Sequence, residues 1–88
     1  MNMEYNFNYK TKYEFIESVQ RHSEIVFEWN GKEYGLFYIE NKRWVLCIDK
    51  TGLKDVFFDK IEDLLNYKIG DDKLIDICTK ITVIERTF

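Results

Sequence analysis

Between residues 24 and 48 the chain reads EIVFEWNGKEYGLFYIENKRWVLCI, with apolar side chains at both parities of a strand period. Asn30-Gly31 sits in the middle of this run. That dipeptide favours a type I′ turn, because both central residues of such a turn need positive φ. It predicts a hairpin joining a strand over 24–29 to one over 32–40, with Trp29 opposite Lys32, Phe27 opposite Tyr34 and Ile25 opposite Leu36. A second tight turn at Asn41-Lys42 would set Glu40 opposite Arg43, a favourable cross-strand pair, and start a third strand over 43–49. DKTG follows, with Gly52 able to turn the chain into a short fourth strand near 54–58.

The flanking segments carry other periods. EYNFNY alternates Tyr5, Phe7 and Tyr9 against Asn6 and Asn8, a short terminal strand pattern. Thr11 stands three residues before Glu14, the capping-box spacing, and predicts a helix to about residue 21 with Phe15, Ile16 and Val19 as its stripe. His22 falls at the carbonyl end of that helix, where a partial positive charge suits the dipole. Asp59 and Glu62 repeat the capping-box spacing before Ile61, Leu64 and Leu65. NYKIGDD breaks this helix, and Asp71 or Asp72 can cap another carrying Leu74, Ile75, Ile77 and Cys78. ITVIERTF closes the sequence as a β-branched strand. Strands and helices come in blocks. The expectation is one α+β domain over 1–88, an antiparallel sheet of four to six strands with an N-terminal helix and two short C-terminal helices.

With a two-residue turn at Asn41-Lys42, one sheet face carries Ile25, Phe27, Trp29, Tyr34, Leu36, Tyr38, Val45 and Cys47. The other carries Val26, Phe37, Ile39, Trp44, Leu46 and Ile48. Both are apolar, whereas a two-layer domain with one wet face would show polar alternation there. Three arrangements meet this pattern: helices on both faces, a sheet curled on itself, or one face left open, the Tyr- and Trp-rich one being the candidate. Trp29 and Tyr34 lie close to the tight turn among Glu28, Lys32 and Glu33, and are the aromatics expected to stay accessible. Tyr and Trp beside charge dominate interface hot spots. The candidate partner-binding set is therefore Trp29, Tyr34, Lys32, Glu28 and Tyr38.

Charge and chemistry narrow the function by exclusion. Net charge is −3, with six Lys/Arg against seven Asp/Glu in residues 1–48 and seven against nine in 49–88. A nucleic-acid binder needs a basic face, so direct binding of that kind is not expected. Aromatic content of 17% supplies large buried areas to a chain of only 88 residues. No apolar run is long enough to span a membrane, and the first ten residues lack the basic start and apolar block of a signal peptide, so a cytoplasmic protein is expected. Cys47 and Cys78 are expected as buried thiols in a reducing compartment. Gly31 and Gly35 are not followed by a helix or by the Gly-Lys-Ser/Thr ending of a phosphate loop. The acidic run over 49–63 lacks calcium-loop spacing, and Ser18 and Ser23 have no His–acid partners. No catalytic residue, cofactor or metal is expected.

EIVFEWNGKEY, with Glu24, Ile25, Phe27, Trp29, Gly31, Lys32 and Tyr34, resembles the start of a group of short uncharacterised proteins of phages and mobile elements of low-GC Gram-positive bacteria. IEDLLN at 61–66, KLIDI at 73–77, Val83 and Glu85 resemble the closing half of the same group. The resemblance covers roughly residues 14–88 and rests on structural motifs. It implies a genomic setting in which small proteins bind and disable host factors, a bacterial defence complex such as a CRISPR effector among them. The alternative is a homo-oligomer that uses its aromatic sheet face on itself or around a small ligand.

Overall fold

The computed structural model describes residues 7–39 and 42–87. Asn30 and Gly31 take φ of 51° and 78°, so the type I′ turn forms and joins β1 (Ile25–Trp29) to β2 (Lys32–Ile39). Trp29 pairs with Lys32, Phe27 with Tyr34 and Ile25 with Leu36. The next connection departs from expectation. Ile39 pairs with Arg43, which leaves three residues between the strands rather than two. Lys42, at φ 59°, is the left-handed residue with which three-residue hairpin loops close. In β3 (Arg43–Cys47), Trp44 therefore faces Tyr38 and Leu46 faces Leu36.

A one-residue shift exchanges the faces of a strand. Trp44 and Leu46 join Ile25, Phe27, Leu36 and Tyr38, while Val45 and Cys47 go to the side of Val26 and Phe37. The expected Glu40–Arg43 pairing gives way: Glu40 and Asn41 lie outside the described residues, and Arg43 Nε donates to Asp59 Oδ1 at 3.0 Å. A lysine in the left-handed region is strained, by about 1 kcal/mol. Lys42→Gly is expected to raise the thermal midpoint by about 2–4 °C, the relief exceeding the added freedom of the unfolded chain. A lower midpoint in a thermal scan would contradict this loop geometry.

β4 (Val56–Phe58) continues the sheet, with Phe58 opposite Trp44 and Val56 opposite Leu46. A separate two-stranded piece, β5 (Lys68–Ile69) with β6 (Asp72–Lys73), turns at Gly70-Asp71 and has no counterpart in the sequence expectation. The last strand, β7 (Thr82–Arg86), pairs with β1, giving the order β4-β3-β2-β1-β7 with every neighbour antiparallel. A register shift between Val26 and Phe27 puts Glu85 opposite Val26 and Val83 opposite Phe27.

α1 (Lys12–Gln20) starts as its capping box predicts: Glu14 N donates to Thr11 Oγ1 at 3.0 Å. The Glu14 carboxylate turns back to Lys10 N at 3.2 Å and also accepts from Arg86 Nη2 at 3.1 Å. The helix ends with His22 at φ 61°, its N–H on the Val19 carbonyl and that of Ser23 on the Ser18 carbonyl. These are the two bonds of a Schellman motif, in which the left-handed residue is usually glycine. Here the His22 ring lies flat on Tyr38, centroids 3.5 Å apart, and that contact holds it.

The other two helix starts differ from expectation. α2 (Ile61–Leu65) and α3 (Leu74–Ile77) begin after Lys60 and Lys73, neither making a side-chain cap. Asp59 is turned to Arg43, and Asp71 and Asp72 lie in the β5–β6 hairpin. The N-terminal alternation also fails as a strand where it can be followed. Tyr5 lies outside the described residues, and 7–9 make no ladder. Tyr9 is instead buried, its hydroxyl 2.8 Å from Ser18 Oγ and its ring under the Arg86 guanidinium. Asn8 Oδ1 accepts from Val83 N at 2.7 Å, so the segment runs beside β7.

One core results. Phe15 and Val19 of α1, Leu64 of α2 and Leu74 and Ile77 of α3 pack with Ile25, Phe27, Leu36, Leu46 and Val83 of the sheet. All three helices contribute to this single cluster, and every residue of the five-stranded sheet in it has the parity of Phe27. The sheet is covered from one side.

Candidate functional site

The other side of the sheet carries Val26 from β1, Gly35, Phe37 and Ile39 from β2, Val45 and Cys47 from β3, and Phe57 from β4. None of them belongs to the core cluster. Phe57 is 50% exposed, and Val26, Phe37, Ile39 and Cys47 are partly exposed. Val45 is buried between them. No described helix packs on this side, so it is an apolar sheet face without an intramolecular cover among the described residues.

Gly35 shapes the centre of that face. A Cβ built there would come 2.5 Å from Phe37 Cε2, so the Phe37 ring lies across the glycine and no other residue leaves it room. An open pocket of about 200 Å³ adjoins it. Val26, Gly35, Phe37 and Cys47 make its apolar part, and Glu33, Asp49 and Lys50 its polar rim. Carboxylates gather on the β1–β7 side. Glu28 faces Glu33 across the hairpin, and Glu85 faces Val26. Among the described residues none of these three glutamates forms an ion pair. Arg43, at the opposite corner, is held by Asp59 and lies over the Phe57 ring at 5.6 Å.

The polar groups of the face are poor reagents. Burial pushes the Cys47 thiol up, and the Asp55 carboxylate beside it pushes the same way, so the sulfur stays protonated and weakly nucleophilic. Burial likewise raises the thiol of Cys78, whose Sγ donates to the Ile75 carbonyl at 3.3 Å. Hydrogen bonds from the Thr51 hydroxyl and N–H, at 2.6 and 2.9 Å, hold Asp49 below the usual carboxylate range, so it is an anion at neutral pH. No group of three His, Cys, Asp or Glu side chains among the described residues is placed to hold a metal ion. No helix of the described residues is long and apolar enough to cross a membrane.

The five residues singled out from sequence separate. Trp29, Tyr34 and Tyr38 share the parity of Phe27 and stand on the helix-covered side. Tyr34 is only 7% exposed and stacks on Phe27 at 5.3 Å, with burial and then Tyr67 raising its phenol. The expectation that it stays accessible is thus not met. Trp29 packs half-buried against the core, its indole N–H buried without a hydrogen-bond partner among the described residues. Tyr38 lies under His22 and meets the edge of Trp44 at 5.1 Å. Lys32 is exposed opposite Trp29. Glu28 alone stands on the open face. Sequence reasoning missed Val45, Cys47 and Phe57 as its constituents. The signal available was Gly35, since a glycine inside a strand marks a close approach, here that of Phe37.

Comparison with protein-family models, with curated proteins and with solved structures finds no match to this chain.

Proposed function

We propose that this chain is a small interaction protein that binds another protein through the open face of its sheet and acts by contact rather than by catalysis. One observation carries the reading. All three helices pack on one side of a five-stranded sheet, while the other side presents Val26, Phe37, Ile39, Cys47 and Phe57. Contiguous apolar surface of this kind on a small protein marks an interaction site. The raised thiol of Cys47 on that face supports contact over covalent chemistry. Under the resemblance to short phage and mobile-element proteins, the partner is a host factor in the cytoplasm and the outcome is inhibition. A defence complex of the CRISPR type is the first candidate.

The test uses two variants of the open face, Phe37→Lys and Phe57→Lys. Neither side chain belongs to the core, so thermal midpoints are expected to stay within about 5 °C of the parent. The parent chain is expected to retain a host protein in a 1:1 complex by size exclusion with light scattering, and both variants to lose it. Retention unaffected by either substitution, or no retained partner, rejects the reading. A particle of twice 10.8 kDa without any partner would favour the homodimer instead.

A further inference from the structure

We propose that the open face takes an arginine-bearing segment of its protein partner, with the arginine stem on Val26 and Cys47 and the guanidinium against Phe37 and the Glu28–Glu33 pair. This rests on the open face being the binding surface and adds what that surface selects. Glu28 and Glu33 form the second pair from a two-residue turn, a position without ladder hydrogen bonds, where opposed Cα atoms stand only about 4.5 Å apart. Like charges directly opposite each other disfavour the folded hairpin, and no cation among the described residues neutralises them. Glu85 adds a third carboxylate beside Val26, and Asp49 a fourth at the pocket rim.

Among the described strand residues on the open face of the five-stranded sheet the sole cation is Arg43, already engaged by Asp59. Lys50 stands at the rim of the pocket beside Asp49. The face therefore lacks positive charge where its carboxylates are concentrated. A nucleic acid would bring phosphates against four carboxylates. A second copy docked by the same face would bring its own glutamates and, of strand cations, only the Arg43 already held by Asp59. An arginine satisfies each element. Its aliphatic stem covers apolar surface while its head stays polar. The planar guanidinium stacks on aromatic rings, and its fork of donors reaches two carboxylates at once. Phe37 offers a ring laid across Gly35 next to such a pair.

The experiment is a titration of ¹⁵N-labelled protein with the capped tripeptide acetyl-Ala-Arg-Ala-amide, followed by amide chemical shifts. Its neutral isostere carries citrulline, and a third peptide carries norleucine. The arginine peptide is expected to shift Val26, Glu33, Gly35, Phe37 and Cys47 with weak saturating affinity, and citrulline to bind about fivefold more weakly or worse. Glu28→Gln and Glu33→Gln should each reduce arginine binding several-fold and leave citrulline unchanged. Equal binding of arginine and citrulline, or preference for norleucine, overturns the inference while leaving the open face as a binding surface. The inference also falls, and the binding surface stands, if a retained partner is lost with Phe37→Lys but indifferent to Glu28→Gln and Glu33→Gln. Shifts away from this face, or none, overturn it outright, as does light scattering that finds a dimer closed by this face.

Discussion

Phe27→Ala is expected to remove most of the stability of this chain. Phe27 is fully buried at the centre of the covered side, paired with Tyr34 on one flank and Val83 on the other. Truncating a buried phenylalanine costs about 3–5 kcal/mol in lost transfer energy and residual cavity. Loss of its stacked contact with Tyr34 at 5.3 Å adds about 0.5–1.5 kcal/mol. A domain of this length has roughly 4–13 kcal/mol in total. Urea unfolding followed by far-ultraviolet circular dichroism should show a midpoint near zero denaturant or no cooperative transition. Phe57→Ala, on the open side, should change stability by less than about 1 kcal/mol. Similar losses from the two substitutions would mean that both sheet faces carry core, contrary to the one-sided packing.

Leu46→Lys should be at least as damaging. The three residues that separate Ile39 from Arg43 set Leu46 opposite Leu36 on the helix side, fully buried, with Val56 on its other flank. Losing the leucine side chain alone costs about 2–5 kcal/mol, and the ammonium would be buried there without a counter-charge. With Glu40 opposite Arg43 across a two-residue loop, Leu46 would instead face the open side and the lysine would be tolerated. The variant is expected to be insoluble or to lack a cooperative thermal transition in calorimetry. A Leu46→Lys chain with parental stability would refute the observed register.

The same residue count explains how far the sequence could be read. The Asn30-Gly31 turn, the Thr11 cap and the α+β class were legible because each depends on local backbone chemistry. The β2–β3 loop was not, since loops of two and three residues both suit its composition. Register is ordinarily settled by which parity is apolar, and here both parities are, so a slip by one residue leaves an equally hydrophobic pattern. The attractive Glu40–Arg43 pairing then favoured the shorter loop, while the true partner of Arg43 is Asp59, sixteen residues on. That one long-range contact also removed Asp59 from the helix start it was expected to cap. For the candidate surface, nearness to the turn pointed to Trp29 and Tyr34, whereas parity decides exposure and places both beneath the helices.

β1 is flanked by its hairpin partner on one side and by β7 on the other, and these two neighbours differ in how they are reached. The pairing with β2 closes across two residues; the pairing of Val26 with Glu85 must wait for a chain segment more than half the length of the molecule. Non-local pairings of that kind are slow to form. A folding chain therefore passes through a period in which the β1–β3 meander exists with one long edge of β1 unpaired and apolar on both sides at Ile25, Val26 and Phe27. Such edges template association between chains. The arrival of β7, with Asn8 bonded to its Val83 N–H, seals the edge most prone to aggregation. For this protein, correct assembly depends on intramolecular closure outpacing encounters between neighbouring molecules, and dilute conditions favour the native outcome.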